Sequence, residues 1–177
     1  MTLKPLSPCL LFCTLLQGTA YGVEADDFIA LFNGKDFTGW KLGYGGAFLD
    51  GKTDVKNNRI RISNGLMIID GKKLGILLIE TKRIFDKDVT IRFEFLPNGA
   101  CNHDLYFRGN KFDIKRSRIK NLVPGKWHQC EIIVRGGRIE LKCNGQTQKI
   151  GEVKKPSSLG IRAEQGAISF RKLRYKE

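Results

Sequence analysis

The chain has 177 residues, 31 of them Lys or Arg and 18 Asp or Glu, giving a formal net charge of +13. Its hydrophobic content of 41% excludes a disordered chain, and its length suits a single domain with one core. The cations are spread along the sequence, without a helix-turn-helix, zinc-finger or aromatic RNA-binding pattern, so nucleic acid is a disfavoured partner. Basicity on this scale leaves an acidic polysaccharide open.

In chain order the first element is a leader. Lys4 precedes the apolar run from Leu10 to Leu16, and small residues follow at Ala20 and Gly22, so residues 1–22 read as a signal peptide and 23–177 as the mature domain. The apolar run is shorter than the ~20 residues a spanning helix needs. Phe12 before Cys13 is bulky where a lipid-attachment site needs a small residue. The expected location is therefore outside the cytoplasm: periplasm, cell surface or medium.

Beyond the leader, apolar residues recur at every second position, as in Val89, Ile91, Phe93 and Phe95. Similar runs occupy 59–62, 66–69, 76–79, 104–108, 111–115, 128–135, 138–143 and 167–175, separated by glycine- and asparagine-containing turns. That period is the period of a strand, and no amphipathic helix competes with it. Short, regular strands predict an all-β, antiparallel sandwich or jelly roll.

Two hairpins can be set in register. A turn at Gly109-Asn110 predicts Arg108 opposite Lys111, Tyr106 opposite Asp113 and Asp104 opposite Lys115. Leu105, Phe107, Phe112 and Ile114 then face the core, and the other face gathers two carboxylates, a phenol and three cations. A solvated, ion-paired surface would look the same. In the later hairpin a Gly136-Gly137 turn pairs Val134 with Ile139, Ile132 with Leu141 and Cys130 with Cys143. The two cysteines fall at a non-hydrogen-bonded position, where side chains approach closely, and an oxidising compartment favours a disulfide there. Two small buried thiols are the alternative. Cys101, in the loop PNGACNHD, is left over. Two histidines and scattered acids give no zinc spacing, so no metal and no cofactor are predicted.

The two ends of the mature chain, FIALFNGKDFTGW at 28–40 and LGIRAEQGAISFRKLRYKE at 159–177, resemble the opening and closing strands of the 3-keto-disaccharide hydrolase family. Between them Asn102-His103-Asp104-Leu105-Tyr106-Phe107-Arg108 and Phe112-Asp113-Ile114-Lys115 resemble that family's N-S-G-[IV]-F-F-R and Y-E-[VI]-Q stretches. Gly125-Lys126-Trp127-His128 through Asn144-Gly145 resembles its G-x-W-N … N-G hairpin. The resemblance implies a concanavalin A-like jelly roll and a sugar or glycoside ligand. It departs where two family glutamines are Lys115 and Arg162, and where Ala163 and Glu164 follow, so amides have become cations.

A ketone at carbon 3 of a sugar acidifies the hydrogen on carbon 2, and its loss lets the glycosidic oxygen leave carbon 1, with water added afterwards. This route needs a base and a cation over the developing enolate. The candidates are Asp113 and His103 for the base and Arg108 for the enolate, with Asp104, Tyr106, Lys115 and Arg162 binding substrate. Two-carboxylate glycoside hydrolysis is a rival chemistry. A lectin-like module without turnover, or a basic envelope protein binding acidic polysaccharide, would keep the same fold. His128 reads as a structural residue beside Trp127.

Overall fold

The computed structural model describes residues 27–72 and 75–177; the predicted signal peptide lies outside them. Among the described residues the chain forms twelve strands: β1 (Ile29–Ala30), β2 (Trp40–Leu42), β3 (Asp54–Val55), β4 (Ile60–Ser63), β5 (Leu66–Ile69), β6 (Leu77–Thr81), β7 (Val89–Phe107), β8 (Asn110–Ile114), β9 (His128–Arg135), β10 (Arg138–Cys143), β11 (Gln146–Glu152) and β12 (Gly160–Lys176). All pairings are antiparallel, and the architecture is the all-β jelly roll expected from the periodicity.

Two long strands hold it together. The first part of β7 pairs with β9 and with the last part of β12, as in Phe95↔His128 and Phe95↔Phe170. This layer runs β11-β10-β9-β7-β12-β5-β4-β3. The second part of β7 pairs with β8 and with the first part of β12, which in turn pairs with β6, and β6 with β2. Each long strand thus belongs to both layers.

The crossing point is the segment predicted as the PNGACNHD loop. The register of β7 against β12 shifts between Arg162 and Gln165 and again between Gln165 and Ala167. Bulges of this kind bend a strand and sharpen its twist. Gly166 has φ +84°, and a Cβ there would collide with the Ala100 carbonyl and the Cys101 backbone. Only glycine allows the two long strands to pass so closely while turning. Pairing across the bend turns what reads as a polar loop into continuous strand.

Odd-numbered residues of β7, including Ile91, Phe93, Phe95, Leu105 and Phe107, enter one core shared with Trp40, Ile132, Leu141, Ile161 and Phe170. Phe85 packs edge-on against Phe107 at 5.3 Å and Tyr175 at 5.2 Å, joining the layers. The Gly136-Gly137 hairpin has the predicted register, with Cys130 opposite Cys143. The two cysteines form a disulfide across a Cα separation of 4.2 Å. Strand β11 has no apolar alternation and is exposed along most of its length, which is why periodicity does not find it. It is anchored instead by Lys149 Nζ, which donates to the Lys111 carbonyl at 2.6 Å, and by the Glu152 carbonyl, which accepts from Asn110 Nδ2 at 2.7 Å. No helix among the described residues is long and apolar enough to cross a membrane.

Candidate functional site

The predicted Gly109-Asn110 turn is displaced by one residue. Phe107 pairs with Asn110, Tyr106 with Lys111, Leu105 with Phe112, Asp104 with Asp113 and His103 with Ile114. The turn is therefore Arg108-Gly109, with φ of 51° and 77°. Two consecutive positive φ values are the signature of a type I′ hairpin, which favours glycine at its second central position. Asn110 locks the turn by donating to the Arg108 carbonyl at 3.2 Å. The shift moves each partner by two residues, so the faces are kept and the pairs change.

The consequence is a carboxylate pair. Asp104 and Asp113 lie directly opposite one another on the outward face of the second layer, and Arg162 lies directly opposite Asp104 on the other side. Lys111 Nζ sits 2.9 Å from Asp113 Oδ1 and 3.3 Å from Asp104 Oδ1. Arg162 is ion-paired with the second oxygen of Asp104 and lies 2.8 Å from Glu164 Oε2. The guanidinium also lies 5.6 Å from the Tyr106 ring centre. Lys115, beyond the end of β8, acts on Asp113 through charge alone.

Environment drives the two carboxylates apart. The side chain of Asp104 is 0% exposed, and neither of its oxygens has a well-aligned hydrogen bond. Burial raises its pKa, with Asp113 adding to the rise and Lys111 and Arg162 opposing it. The Asp113 side chain is 21% exposed. Burial would raise its pKa too, but the Lys111 ammonium, with help from Asp104 and Lys115, brings it below the usual carboxylate range. Burial raises the Tyr106 phenol, with Asp104 and Tyr44 adding to it. Neighbouring carboxylates held at different proton affinities are a common source of acid and base roles.

Two sequence-predicted candidates leave the site. His103 occupies an odd position of β7 and is fully buried on the core side. Its Nδ1 accepts from the Glu164 N–H at 3.2 Å and its Nε2 donates to the Gly166 carbonyl at 3.1 Å, tying down the bulge of β12. Burial pushes its pKa down to about 4. Both nitrogens being engaged, it is not available as a base. Arg108, displaced into the turn, buries its guanidinium against the carbonyls of Phe85 at 2.8 Å and Lys87 at 3.3 Å, while its N–H donates to Ser157 Oγ at 2.7 Å. It holds a loop to the hairpin instead of facing the carboxylates.

Lys111 and Glu164 take the places vacated. Glycine preference at the second position of a type I′ turn was the signal that would have brought Lys111 beside the carboxylates. Elsewhere, His128 is buried, stacked on Phe95 at 5.2 Å, and bonded through Nε2 to the Val123 carbonyl and through Nδ1 to Asn144. Cys101 is half-buried, and burial pushes its thiol up to about 11, out of the range of a neutral-pH nucleophile. No cluster of three or more His, Cys, Asp or Glu residues among the described residues is arranged to hold a metal ion.

The family model of the 3-keto-alpha-glucoside-1,2-lyase-like domain matches residues 27–121, which include both strands of the carboxylate hairpin. The chain belongs to this family. No curated protein matches it by sequence. Among solved structures it is similar to a candidate glycosyl hydrolase from Parabacteroides distasonis, with TM-score 0.66 and 15% identity over 85% of this chain and 93% of that one. It is also similar to the carbohydrate-binding module CBM66 of Bacillus subtilis (TM-score 0.52, 12% identity, 78% and 96% covered). An alginate lyase from Corynebacterium sp. has TM-score 0.53 at 11% identity, with 82% and 95% covered. At these identities the likeness is one of fold. Family and fold together give this member a carbohydrate-related function.

Proposed function

We propose that this chain is exported and cleaves 3-keto-glycosides by elimination followed by hydration. The observation that carries the reading is the Asp104–Asp113 pair, bridged by Lys111 and flanked by Arg162 on an open sheet face. Asp113, ionised and reachable from solvent, takes the proton from carbon 2. The electron pair moves onto the carbon-3 oxygen, where the Lys111 ammonium and the Arg162 guanidinium stabilise the enolate. The enolate then re-forms the ketone as the bond from carbon 1 to the glycosidic oxygen breaks, and the Asp113 carboxyl returns its proton to the leaving oxygen. Water afterwards adds its hydroxyl at carbon 1 of the resulting enone and its proton at carbon 2. Asp104 is too buried to touch a sugar; it is a positioning residue that holds both cations.

The test is incubation of the mature protein with 3-keto-trehalose, beside its Asp113→Asn and Lys111→Met variants. Release of glucose by wild type that collapses in both folded variants supports the reading. A folded wild type that releases nothing overturns it. Similarity in fold to a carbohydrate-binding module, together with cations at Lys115 and Arg162, favours a second reading, a lectin-like domain without turnover. Saturable sugar binding without cleavage would support that one. Export rests on residues 1–22, and detection of the mature form outside the cytoplasm tests it.

A further inference from the structure

Beside the carboxylate pair the outward face of the second layer changes character. Arg162 is followed across the sheet by Leu78, and Leu78 by Gly43, whose N–H donates to the Leu78 carbonyl at 2.8 Å. Along the neighbouring row Tyr106 is followed by Gly160 and Glu80. Neither Gly43 nor Gly160 has a positive φ, so backbone conformation does not demand glycine at either. What they provide is the absence of a side chain. A Cβ on Gly43 would lie 2.5 Å from the Leu78 side chain, and one on Gly160 3.2 Å from it. Leu78 therefore fills the space above two glycines, keeping 9% of its surface exposed, and the surface around it stays low.

Tyr44 stands at the far rim. It is 88% exposed and occupies a turn closed by the Gly46 N–H on the Gly43 carbonyl at 3.2 Å. Its φ is +58° and that of Gly45 is +75°. A bulky side chain at a left-handed position is strained, and asparagine, aspartate or glycine is the ordinary choice there. The Tyr44 side chain makes no hydrogen bond and no ring contact among the described residues. Burial raises the pKa of the Tyr106 phenol, and the charges of Asp104 and Tyr44 add to the rise. The fold thus carries an exposed aromatic ring at a left-handed backbone position.

The geometry points to a second sugar subsite, in which the leaving ring of a disaccharide lies on the Gly160–Leu78–Gly43 floor between the Tyr44 and Tyr106 phenols. This inference rests on the proposed reaction at Asp113. From β8 to β6 is three strand spacings, about 14 Å, farther than a single pyranose ring extends. The apolar face of a sugar ring suits the leucine and the aromatic rim. Its hydroxyls meet Glu80 and Arg162 at the sides. Tyr44 does not touch the reacting carbons, so it discriminates by the leaving group and not by the chemistry.

The experiment compares two ligands, 3-keto-trehalose and methyl 3-keto-α-glucopyranoside, which lacks the second ring. Both are titrated calorimetrically into wild type, into the Asp113→Asn chain that suppresses turnover, and into Asp113→Asn combined with Tyr44→Ala, Tyr44→Gly or Tyr44→Phe. The expected result is a loss of about tenfold in disaccharide affinity for Tyr44→Ala and Tyr44→Gly, near-wild-type affinity for Tyr44→Phe, and less than about twofold change for the methyl glycoside. Tyr44→Gly is expected to melt at or above the parent, because it relieves the left-handed strain. Unchanged disaccharide binding in Tyr44→Ala, or equal loss for both ligands, overturns the subsite while leaving the reaction standing. Failure of wild type to bind either ligand overturns the reaction and the subsite together.

Discussion

Strands β7 and β12 carry two outward-facing carboxylate–arginine pairs, Glu94 with Arg171 in the first layer and Asp104 with Arg162 in the second. Residue types and strand partners match, yet the outcomes are opposite. Glu94 receives Arg171 Nε on one oxygen at 2.6 Å and Lys172 Nζ on the other at 2.8 Å. Burial alone would raise its pKa, but the two donors bring it below the ordinary value. Asp104 is more deeply buried, lacks aligned donors and faces a second carboxylate, so its pKa rises. The first pair is satisfied and holds two strands in place. The second keeps a raised proton affinity, the kind of perturbation that makes a carboxylate a candidate for function.

The sharpest way to break this comparison is activity. Asp113→Asn is expected to lower the rate of 3-keto-glycoside cleavage by about 10²–10⁴, while Glu94→Gln in the other layer changes it by less than about twofold. Equal losses from the two variants, measured as glucose release per folded molecule, would mean that the paired carboxylates have no special role.

Acid stability separates the same regions. His103, which pins the bulge beside the second pair, has its folded-state pKa lowered to about 4 from 6.5. Between those values the unfolded chain binds a proton that the folded chain refuses, so stability present above pH 6.5 is lost as pH falls towards 4. At about 1.4 kcal/mol per pH unit, the loss is about 3 kcal/mol. Urea midpoints followed from pH 7 to pH 4 should show it, and His103→Gln should flatten the slope. A midpoint independent of pH in wild type would remove His103 from the bend.

Arg108 sits next in size. Removing its guanidinium in Arg108→Met leaves the Phe85 and Lys87 carbonyls without their donor, at an expected cost of about 2 kcal/mol. Because the side chain faces away from the carboxylates, cleavage per folded molecule should be unchanged. A large fall in rate with intact stability would return Arg108 to the site.

Those two residues also show what can be read without coordinates. Alternation reveals the main strands of both layers, though not β11 or the short β1 to β3, and with the glycine turn it sets the Gly136-Gly137 register and the cysteine pairing, because a period of two with a buried face specifies register strongly. The face shared by Asp104, Tyr106, Lys111 and Asp113 is legible for the same reason. Pairing within it is not, since Arg108-Gly109 and Gly109-Asn110 are both plausible turns and differ by one residue. That single step sends Arg108 inward and brings Asp104 opposite Asp113. His103 looks like a base in a loop because Pro97 and Gly99 read as strand breakers. Only tertiary pairing with β12 shows that the strand continues and takes the imidazole to the core side. Tyr44 carries no periodic signal, since its meaning lies in a turn conformation that most tyrosines avoid.

The smallest effect is the most direct test of the contrast between the two pairs. The folded-state pKa of Glu94 is lowered, so it contributes stability above the ordinary carboxylate range that is lost as pH falls through its folded value. Glu94→Gln should therefore destabilise by up to about 1 kcal/mol at pH 7 and by less near pH 3. Asp104 has the opposite sign. Its raised pKa means that stability falls as pH rises from the ordinary carboxylate value through the folded one, so ionised Asp104 opposes folding at pH 7. In Asp104→Asn that opposition disappears, while Arg162 keeps Glu164 and Lys111 keeps Asp113 as partners. The variant should be as stable as wild type or more stable, and still cleave more slowly because both cations lose their shared anchor. Stability gained where activity is lost is the usual signature of a functional site held against the preference of the fold. If both variants instead destabilise alike at pH 7, the two pairs are equivalent structural bridges and the tension at Asp104 is absent.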